Sequence, residues 1–414
     1  MAYVIIGNSA AGIAAAEGIR QQDKSKSIAI ISDEPHAAYS RCLTSYYLGG
    51  EVTEAGMQLR QDGFYTNMGI DLRAGQKVTC IDPDSKKVVM EGGMKIAYDK
   101  LLIAAGASPK VPDLPGLSSS GIFTLRTLAD AKRIAQAADK GNKAVILGGG
   151  LVSLKTAAAL RHRGTDVTVL VSSNRVMSRT LGETAAKMVE EQLGDLGVTV
   201  ITRSSVKAVE ADASGNVSGV KLENGELFPA DFVVVGKGVR PNTGILEQAG
   251  LVTAAGQPVS VNRYQETRLE GVYAAGDVAL TYDILEERYV YNAIWPNAVE
   301  QGKIAGANMA GAAKVYGGSI SMNAAVFGGM SIIAAGIGQP QQSGFRVFEE
   351  RNSKQRSYQQ LVVAENRLAG YTLIGDTARA GLYTALIKSR QVFKSVDKLV
   401  HCCNRSYVTL SSYG

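Results

Sequence analysis

The chain has 414 residues, 45% of them hydrophobic, so it is long enough for two or three domains with complete cores. The formal net charge of +6 is modest, and no basic cluster with interleaved aromatic residues indicates a nucleic-acid partner. No segment approaches the roughly 20 uninterrupted apolar residues of a membrane span. The low cysteine content and the lack of a signal peptide predict a cytoplasmic protein without a membrane partner.

A glycine-rich loop follows the first apolar run. Residues 3–6 predict a buried parallel strand, and GNSAAG leads from it into an alanine-rich helix. The loop fits a dinucleotide-binding fingerprint, with Gly7 and Gly12 at the first and third glycine positions and Ser9 at the second. We expect a phosphate at the helix N-terminus, where backbone N–H groups favour an anion. The candidate binding residues are Gly7, Ser9, Ala10, Ala11 and Gly12.

An acidic pair follows the second strand, which is predicted over Ser27–Ile31. An acidic side chain about 20 residues past the glycine loop typically binds a ribose hydroxyl. Asp33 and Glu34 both fit this role, and the pattern does not choose between them.

A second glycine-rich loop, GGGLVSLKTAAALRHRG, follows a strand predicted over Lys143–Leu147. Gly148 and Gly150 match the first two fingerprint positions, and Ser153 replaces the third glycine. Two such loops on one chain indicate a protein that holds two dinucleotides at once. This combination is typical of a flavin that exchanges electrons with a nicotinamide.

A third motif, Thr267 followed by VYAAGD at 272–277, predicts a strand that ends at Gly276 and Asp277. With this motif, the chain resembles the flavoproteins of the pyridine nucleotide–disulfide oxidoreductase superfamily, from about residue 3 to about 390. The resemblance implies an α/β fold with two Rossmann-like domains, for FAD and NAD(P), and a C-terminal α+β interface domain. The implied boundaries are 1–110 with 240–311 for FAD, 111–239 for NAD(P), and 312–414 for the interface domain.

The resemblance also assigns further flavin contacts. Asp277 corresponds to the residue that binds the ribityl chain of FAD, with Gly276 before it. LLIAAGASP, at 101–109, and the helix that begins at WPNAVEQG resemble segments that contact the flavin. The additional FAD candidates are Arg41, Val78, Ala104, Gly106 and Trp295.

The nicotinamide loop departs from the family pattern. Lys155 stands where the family usually has Glu near the nicotinamide, and Val171 stands where an NADH-specific member has an acid. Without the acid, nothing repels a 2′-phosphate, and Arg175 or Arg179 could pair with one, which would favour NADPH. Alternatively, the two arginines are surface charges and NADH binds through the backbone. A third possibility is a degenerate loop that no longer binds a nicotinamide. The candidate residues for NAD(P) are Gly148, Gly150, Ser153, Ser172, Arg175 and Gly238, the last within GKGVRPN.

Cys42 lies in AYSRCLTSYYLGGE, which matches two branches of the superfamily. It coincides with the redox cysteine of the NADH oxidases and of the coenzyme A-disulfide and persulfide reductases. Tyr39, Arg41 and Ser45 match a segment of the ferredoxin and rubredoxin reductases instead. Cys42 and Lys155 are therefore the catalytic candidates, and a small apolar filler is the alternative role for Cys42. No paired CxxC or metal-ligand spacing occurs, so we expect no metal site.

These features predict hydride transfer between NAD(P)H and FAD, and two routes for the electrons. In the first, they pass singly to or from an iron–sulfur or rubredoxin-type protein. In the second, Cys42 reduces a disulfide, a persulfide or an oxygen-derived substrate. A non-catalytic subunit that holds flavin in a larger complex is a third hypothesis. A homodimer is also expected, and Cys402 and Cys403 could bind a partner's metal or remain thiols.

Overall fold

A computed structural model of the protein describes residues 2–340 and 343–398. Cys402 and Cys403, for which two roles were considered above, lie outside the described residues.

The strands are numbered in chain order. They are β1 (Ala2–Ile6), β2 (Ser27–Ile31), β3 (Ile70–Arg73), β4 (Val78–Asp82), β5 (Lys87–Met90), β6 (Lys95–Ala97), β7 (Lys100–Ile103), β8 (Ala107–Pro109), β9 (Ile122–Phe123), β10 (Lys143–Leu147), β11 (Asp166–Leu170), β12 (Val198–Ile201), β13 (Val206–Ala211), β14 (Val217–Leu222), β15 (Leu227–Pro229), β16 (Phe232–Val235), β17 (Val239–Pro241), β18 (Val272–Ala274), β19 (Thr281–Asp283), β20 (Arg288–Val290), β21 (Met322–Phe327), β22 (Met330–Gly336), β23 (Phe345–Asn352), β24 (Ser357–Ala364) and β25 (Arg367–Ile374).

The α-helices are α1 (Ala10–Gln22), α2 (Thr44–Leu48), α3 (Phe64–Asn67), α4 (Leu128–Ala138), α5 (Leu151–His162), α6 (Glu183–Asp195), α7 (Trp295–Met309) and α8 (Ala380–Ser389). In the described part of the chain, no helix combines the length and the apolar character needed to cross a membrane.

The chain forms two compact units. The first comprises the described residues of Met1–Tyr47, Val52–Lys110 and Gly238–Ser319. The second comprises the described residues of Leu48–Glu51, Val111–Lys237 and Ile320–Gly414. The three-domain boundaries inferred from the sequence stay a prediction.

A five-stranded parallel sheet forms the centre of the first unit, in the order β18-β7-β1-β2-β3. Side chains alternate along β1, as they do in any strand, and both sets are buried. Tyr3 and Ile5 pack into a core that includes residues of α1 and α7. Val4 and Ile6 pack into a second core that includes residues of β4 and β5. This burial on both faces explains why β1 reads as a continuous apolar run.

Helices α1 and α7 pack closely against each other in this unit. A Cβ atom on Gly302 would lie 2.2 Å from the carbonyl oxygen of Ala11, and one on Gly306 would lie 2.0 Å from that of Ala15. Glycine at these two positions therefore lets the backbones approach. The contact fixes where the two helices begin relative to each other.

The second unit contains a parallel sheet, ordered β12-β11-β10-β16-β9, and a three-stranded sheet, β13-β14-β15. It also contains an antiparallel sheet in the order β21-β22-β25-β24-β23, with α8 following β25. Two glycine loops, each between a parallel strand and a helix, confirm the predicted α/β class with two Rossmann-like folds.

Candidate functional site

The first glycine loop joins β1 to α1 at the carboxyl edge of the parallel sheet. Gly7 has φ +116°, and a Cβ atom there would lie 2.2 Å from the carbonyl oxygen of Ala104, directly after β7. A Cβ atom on Gly12 would lie 1.9 Å from the carbonyl oxygen of Gly7. The protein's own backbone therefore requires glycine at both fingerprint positions.

Ser9 is the N-cap residue of α1, and its side chain makes no capping hydrogen bond. Ala10 and Ala11 form the start of the helix and are buried. The first N–H groups of a helix lack partners within the helix, and the macrodipole there favours negative charge. The loop therefore fits the pyrophosphate of a dinucleotide.

Three hydrogen bonds that the sequence did not predict hold this loop in place. The Tyr65 hydroxyl donates to Asn8 Oδ1 at 2.9 Å and accepts from the backbone N–H of Ala38 at 2.9 Å. Asn8 Nδ2 also donates to the carbonyl oxygen of His36 at 3.2 Å. These bonds tie the loop to the segment that follows β2.

The two residues of the acidic pair, Asp33 and Glu34, lie in different environments. Asp33 is exposed, whereas the Glu34 carboxylate accepts a hydrogen bond from the Tyr39 hydroxyl at 2.5 Å and forms an ion pair with Arg41. The Arg41 guanidinium also lies over the Tyr39 ring, 5.6 Å from its centroid. Two residues predicted to contact FAD, Glu34 and Arg41, thus contact each other.

Cys42 lies in a single 3₁₀ turn, Arg41–Leu43, that leads into α2. Cys42 is an exposed residue. Cys80 is the other thiol among the described residues; it is half-buried on β4 and approaches Gln248 Oε1 at 3.6 Å. The two cysteines are not joined in a disulfide.

The closing motif lies at the end of β18, which neighbours β7 in the sheet. Gly276 has φ +80°, and its N–H donates to Gln301 Oε1 on α7 at 2.8 Å. Asp277 is half-buried, and its carbonyl oxygen accepts a hydrogen bond from the Tyr291 hydroxyl at 3.0 Å. Trp295 begins α7 and packs, partly buried, against the core beneath α1.

The segment after β7 is fixed by residues near β17. Gly106 has φ +68° and accepts a hydrogen bond from the backbone N–H of Asn242 at 3.0 Å. Gly238 has φ +89° and accepts one from Lys110 at 2.8 Å. Gly238 belongs to the first unit, whereas the other NAD(P) candidates belong to the second.

Val78, another residue predicted to contact FAD, is a core residue of the first unit. It is 6% exposed and lies at the start of β4.

The second glycine loop joins β10 to α5. Gly148 has φ +124°, and a Cβ atom there would lie 2.3 Å from the carbonyl oxygen of Gly236. Ser153 is buried, and its hydroxyl donates to that same carbonyl oxygen at 3.2 Å. Gly150 caps α5, and a Cβ atom on it would meet no protein atom within 4 Å. The loop thus combines close packing at Gly148 with open space at Gly150.

Gly149 is a loop residue that sequence reasoning missed, because the fingerprint leaves its position variable. A Cβ atom there would lie 2.6 Å from Val171 Cγ1. Lys237, next to Gly236 at the end of β16, was missed as well. It is half-buried, and burial lowers the pKa of its ammonium group.

Arg175 is held by hydrogen bonds to the loop that follows β11 and to Gln339, which follows β22. Its Nε donates to the carbonyl oxygen of Leu181 at 3.1 Å, and its Nη1 donates to Asn174 Oδ1 at 3.2 Å. Its Nη2 donates to Gln339 Oε1. The loop also folds back on the glycine loop, since the N–H of Met177 donates to the carbonyl oxygen of Gly149 at 2.8 Å.

The remaining candidates near this loop differ in exposure. Ser172 and Arg179 are exposed, and Lys155 is half-buried on α5. Val171, which occupies the position where an NADH-specific member has an acid, is buried, with 2% of its surface exposed. Within the described ranges, no group of three or more His, Cys, Asp and Glu side chains is arranged to hold a metal ion.

The model of the pyridine nucleotide-disulphide oxidoreductase family matches residues 1–302, which is most of the chain. The chain belongs to this family. It is therefore an FAD-dependent NAD(P)H oxidoreductase, as its two glycine loops predicted. A second model, the C-terminal domain of rubredoxin NAD⁺ reductases, matches residues 325–391 and confirms the predicted ferredoxin and rubredoxin reductase branch.

Curated relatives include subunits of larger enzymes. The epsilon subunit of the NADH-dependent phenylglyoxylate dehydrogenase of Aromatoleum evansii is 31% identical over 392 residues, 94% of this chain and 91% of the relative. The assimilatory nitrate reductase electron transfer subunit of Bacillus subtilis is 29% identical over 394 residues, 94% of this chain. The chain spans only 49% of the length of that second relative.

Solved structures share the fold over nearly the whole chain. A ferredoxin reductase from Rhodopseudomonas palustris superposes with a TM-score of 0.87 at 26% identity, covering 94% of this chain and 95% of that one. A NAD-dependent persulfide reductase from A. fulgidus superposes with a TM-score of 0.89 at 27% identity, covering 100% of this chain and 80% of that one.

Proposed function

We propose that the protein passes electrons from NADH, through FAD, to an iron–sulfur or rubredoxin-type protein. The match of residues 325–391 to the rubredoxin reductase C-terminal domain carries this proposal. FAD, when bound, supplies a centre that takes a hydride from the nicotinamide and releases electrons singly. One NADH then reduces two one-electron acceptors and yields NAD⁺ and a proton.

The first unit would hold FAD at the carboxyl edge of its parallel sheet. The turn at Gly7 and the uncapped start of α1 fit a pyrophosphate, and Asp277 fits the ribityl hydroxyls as an acceptor. Ala104, Gly106 and Trp295 remain candidates for contact with the flavin nucleotide. The exposed Asp33 is the better candidate for a ribose hydroxyl, since Glu34 is already bonded to Arg41 and Tyr39.

The second unit would hold NADH on the loop Gly148–Ser153. The open space at Gly150 fits the approach of a pyrophosphate to the backbone. Arg175 is a weak candidate for binding a 2′-phosphate, because three of its five N–H donors are bonded to protein acceptors that hold it in place. Ser172 and Lys155 stay candidates for contacts with the ribose and the nicotinamide. We therefore favour NADH over NADPH.

The relatives that are named as subunits support a role inside a larger assembly. We infer that this chain also delivers electrons to, or takes them from, an iron–sulfur enzyme that it binds. The homodimer and the cytoplasmic location stay predictions.

A second candidate function is the reduction of a disulfide or persulfide by Cys42. The exposed position of Cys42 in the 3₁₀ turn favours it, as does the fold shared with a persulfide reductase. In that route the Cys42 thiolate would attack a substrate S–S bond, which breaks to release one substrate sulfur as a thiolate or hydrosulfide and leaves the other bonded to Cys42. Two electrons from NADH would then cleave this new S–S bond, which gives back the Cys42 thiolate and releases the second substrate sulfur, with NAD⁺ and a proton as the other products.

Acceptor tests on the holoprotein separate the two functions. Wild type and Cys42→Ser are assayed anaerobically with NADH and either purified rubredoxin, a two-iron ferredoxin or a glutathione persulfide. We expect iron–sulfur or rubredoxin reduction at two acceptors per NADH, with rates for the variant within about twofold of wild type. Persulfide reduction that disappears in Cys42→Ser, with no reduction of either metalloprotein, would overturn the first proposal in favour of the second.

A further inference from the structure

We propose that Gln301 is a positioning residue for the flavin site, which fixes the turn that presents Asp277. This inference rests on the flavin site proposed above. It assigns a role to a residue that lies within the segment WPNAVEQG but to which the sequence gave no function of its own.

Gln301 is a buried amide with both ends bonded. Its side chain lies on α7 and the residue is 1% exposed. Its Oε1 accepts from the N–H of Gly276 at 2.8 Å, and its Nε2 donates to the carbonyl oxygen of Leu280 at 3.2 Å. Burying an amide is unfavourable unless its polar atoms are hydrogen-bonded, so these two bonds account for glutamine at this position.

The two bonds hold opposite ends of one short turn. Gly276 opens the turn, Asp277 follows it directly, and the N–H of Ala279 closes it on the carbonyl oxygen of Gly276 at 2.9 Å. A Cβ atom on Gly276 would lie 3.1 Å from Ala11 Cβ and 3.3 Å from Ala298 Cβ. The turn therefore has little room to shift toward either helix.

The helix that carries Gln301 is itself fixed. Gly302, the next residue, packs its backbone against Ala11 of α1, and Gly306 packs against Ala15 one turn later. These contacts fix the position of α7, and therefore of the Gln301 amide, along the axis of α1. The first turn of α1 directly follows the loop at Gly7. The Gln301 side chain thus joins the turn at Asp277 to the helix that begins at Trp295. That helix in turn packs through Gly302 and Gly306 on α1, which follows the first glycine loop.

Loss of the amide should displace Asp277 without unfolding the sheet. Gln301→Met keeps the length of the side chain but removes the acceptor for Gly276 and the donor for Leu280. The turn that presents the Asp277 carboxylate then loses both of its bonds to α7, so the carboxylate is held less precisely and binding that depends on its placement weakens.

The test uses FAD affinity, measured by titrating the apoprotein with FAD and following flavin fluorescence. We expect the Kd of Gln301→Met to be at least about tenfold higher than that of wild type, with a changed visible circular dichroism spectrum of the bound flavin. Gln192→Met is the matched control. Gln192 is 7% exposed, lies on α6 of the second unit and donates to the carbonyl oxygen of Gly328 at 3.4 Å. Its FAD Kd should stay within about twofold of wild type.

Gln301→Glu supplies a readout that a purely structural role would not move. A protonated carboxyl can accept from Gly276 and donate to Leu280, as the amide does, whereas the carboxylate cannot donate. Burial raises the pKa of such a carboxyl, so its protonation changes across the accessible pH range. Relative to wild type at each pH, the FAD Kd of Gln301→Glu should therefore be closer to normal at pH 6 than at pH 8.

Two outcomes separate this inference from the flavin site itself. If wild type binds FAD and folded Gln301→Met binds it with the same Kd and spectrum, the role of Gln301 is refuted and the site stands. If wild-type apoprotein binds no FAD, both proposals fall. Should Gln301→Met not fold, Gln301→Glu decides, because a Kd ratio to wild type that does not change with pH contradicts the role.

Discussion

Gly7 and Ala104 face each other across neighbouring strands so closely that a Cβ atom on Gly7 would lie 2.2 Å from the carbonyl oxygen of Ala104. Gly7 directly follows β1 and Ala104 directly follows β7, and the two strands pair in parallel. The first glycine of the loop is thus required by the protein backbone itself. Its positive φ and this contact together shape the site proposed for FAD.

Gly7→Ala should abolish FAD binding and destabilise the protein. The alanine would have to adopt φ +116° and move a backbone carbonyl, which we expect to cost about 3 kcal/mol or more. Thermal unfolding and the ratio of absorbance at 450 and 280 nm measure both effects. Gly92→Ala is the control, because Gly92 has φ +82° with nothing within 4 Å of its Cβ position. It should cost about 1 kcal/mol and keep FAD. A yellow, stable Gly7→Ala protein would contradict the site.

Gly150→Ala should weaken nicotinamide binding while leaving the fold intact. Gly150 has φ −82°, which alanine adopts without strain, and its Cβ would point into space that no protein atom fills. If the pyrophosphate of NADH approaches there, the KM for NADH should rise about tenfold, or about 1.4 kcal/mol. Gly149→Ala should have a different effect. Its Cβ would lie 2.6 Å from Val171 Cγ1, so we expect this variant to have a lower Tm. An unchanged KM in Gly150→Ala would place the dinucleotide elsewhere.

Arg175→Ala should lower kcat/KM for NADH and NADPH by the same factor. The reason is that the guanidinium holds the loop after β11 through Leu181, Asn174 and Gln339. Steady-state kinetics with both nucleotides give the ratio, and Arg179→Ala provides the comparison, since Arg179 is exposed in the same loop. A selective loss of NADPH activity in Arg175→Ala would show that Arg175 recognises the 2′-phosphate after all.

Tyr273 on β18 should make stability depend on alkaline pH. Burial, with the nearby Glu266 carboxylate, raises the pKa of its hydroxyl to about 12. The folded state therefore keeps a proton that the unfolded state loses near pH 10, so this contribution is complete below pH 10 and declines as pH rises toward 12. Between these values wild type should lose up to about 1.4 kcal/mol per pH unit relative to Tyr273→Phe in urea unfolding. Parallel pH profiles for the two proteins would contradict this assignment.

Local sequence patterns predicted the fold and the glycine loops, because these depend on neighbours along the chain. The strand predicted over 143–147 is β10, Lys143–Leu147, and the apolar run before Gly7 is β1. The sequence assigned Glu34 and Arg41 separately as contacts of FAD, and it did not predict the ion pair between them. That pair forms only when the segment after β2 folds back on itself.

Residues that act over long distances in sequence could not be predicted. Gln301 lies 25 positions from Gly276, and a single glutamine in a helix normally faces solvent. Only the packing of Gly302 and Gly306 on α1 turns it inward. Arg175 and Gln339 are 164 positions apart, so the loop bonds that occupy the guanidinium have no signal in the sequence. Gly302 and Gly306, which are spaced by four on α7, indicate only which face of that helix packs closely, and they do not identify the partners of Gln301.

Anaerobic stopped-flow mixing tests the central claim most directly. Flavin absorbance at 450 nm is followed while purified holoprotein meets NADH, and oxidised rubredoxin is then added from a second syringe. We predict rapid bleaching by NADH and recovery of the absorbance as two equivalents of rubredoxin are reduced. A yellow protein that keeps its absorbance in excess NADH and NADPH would contradict the account and favour a subunit that holds flavin without catalysis.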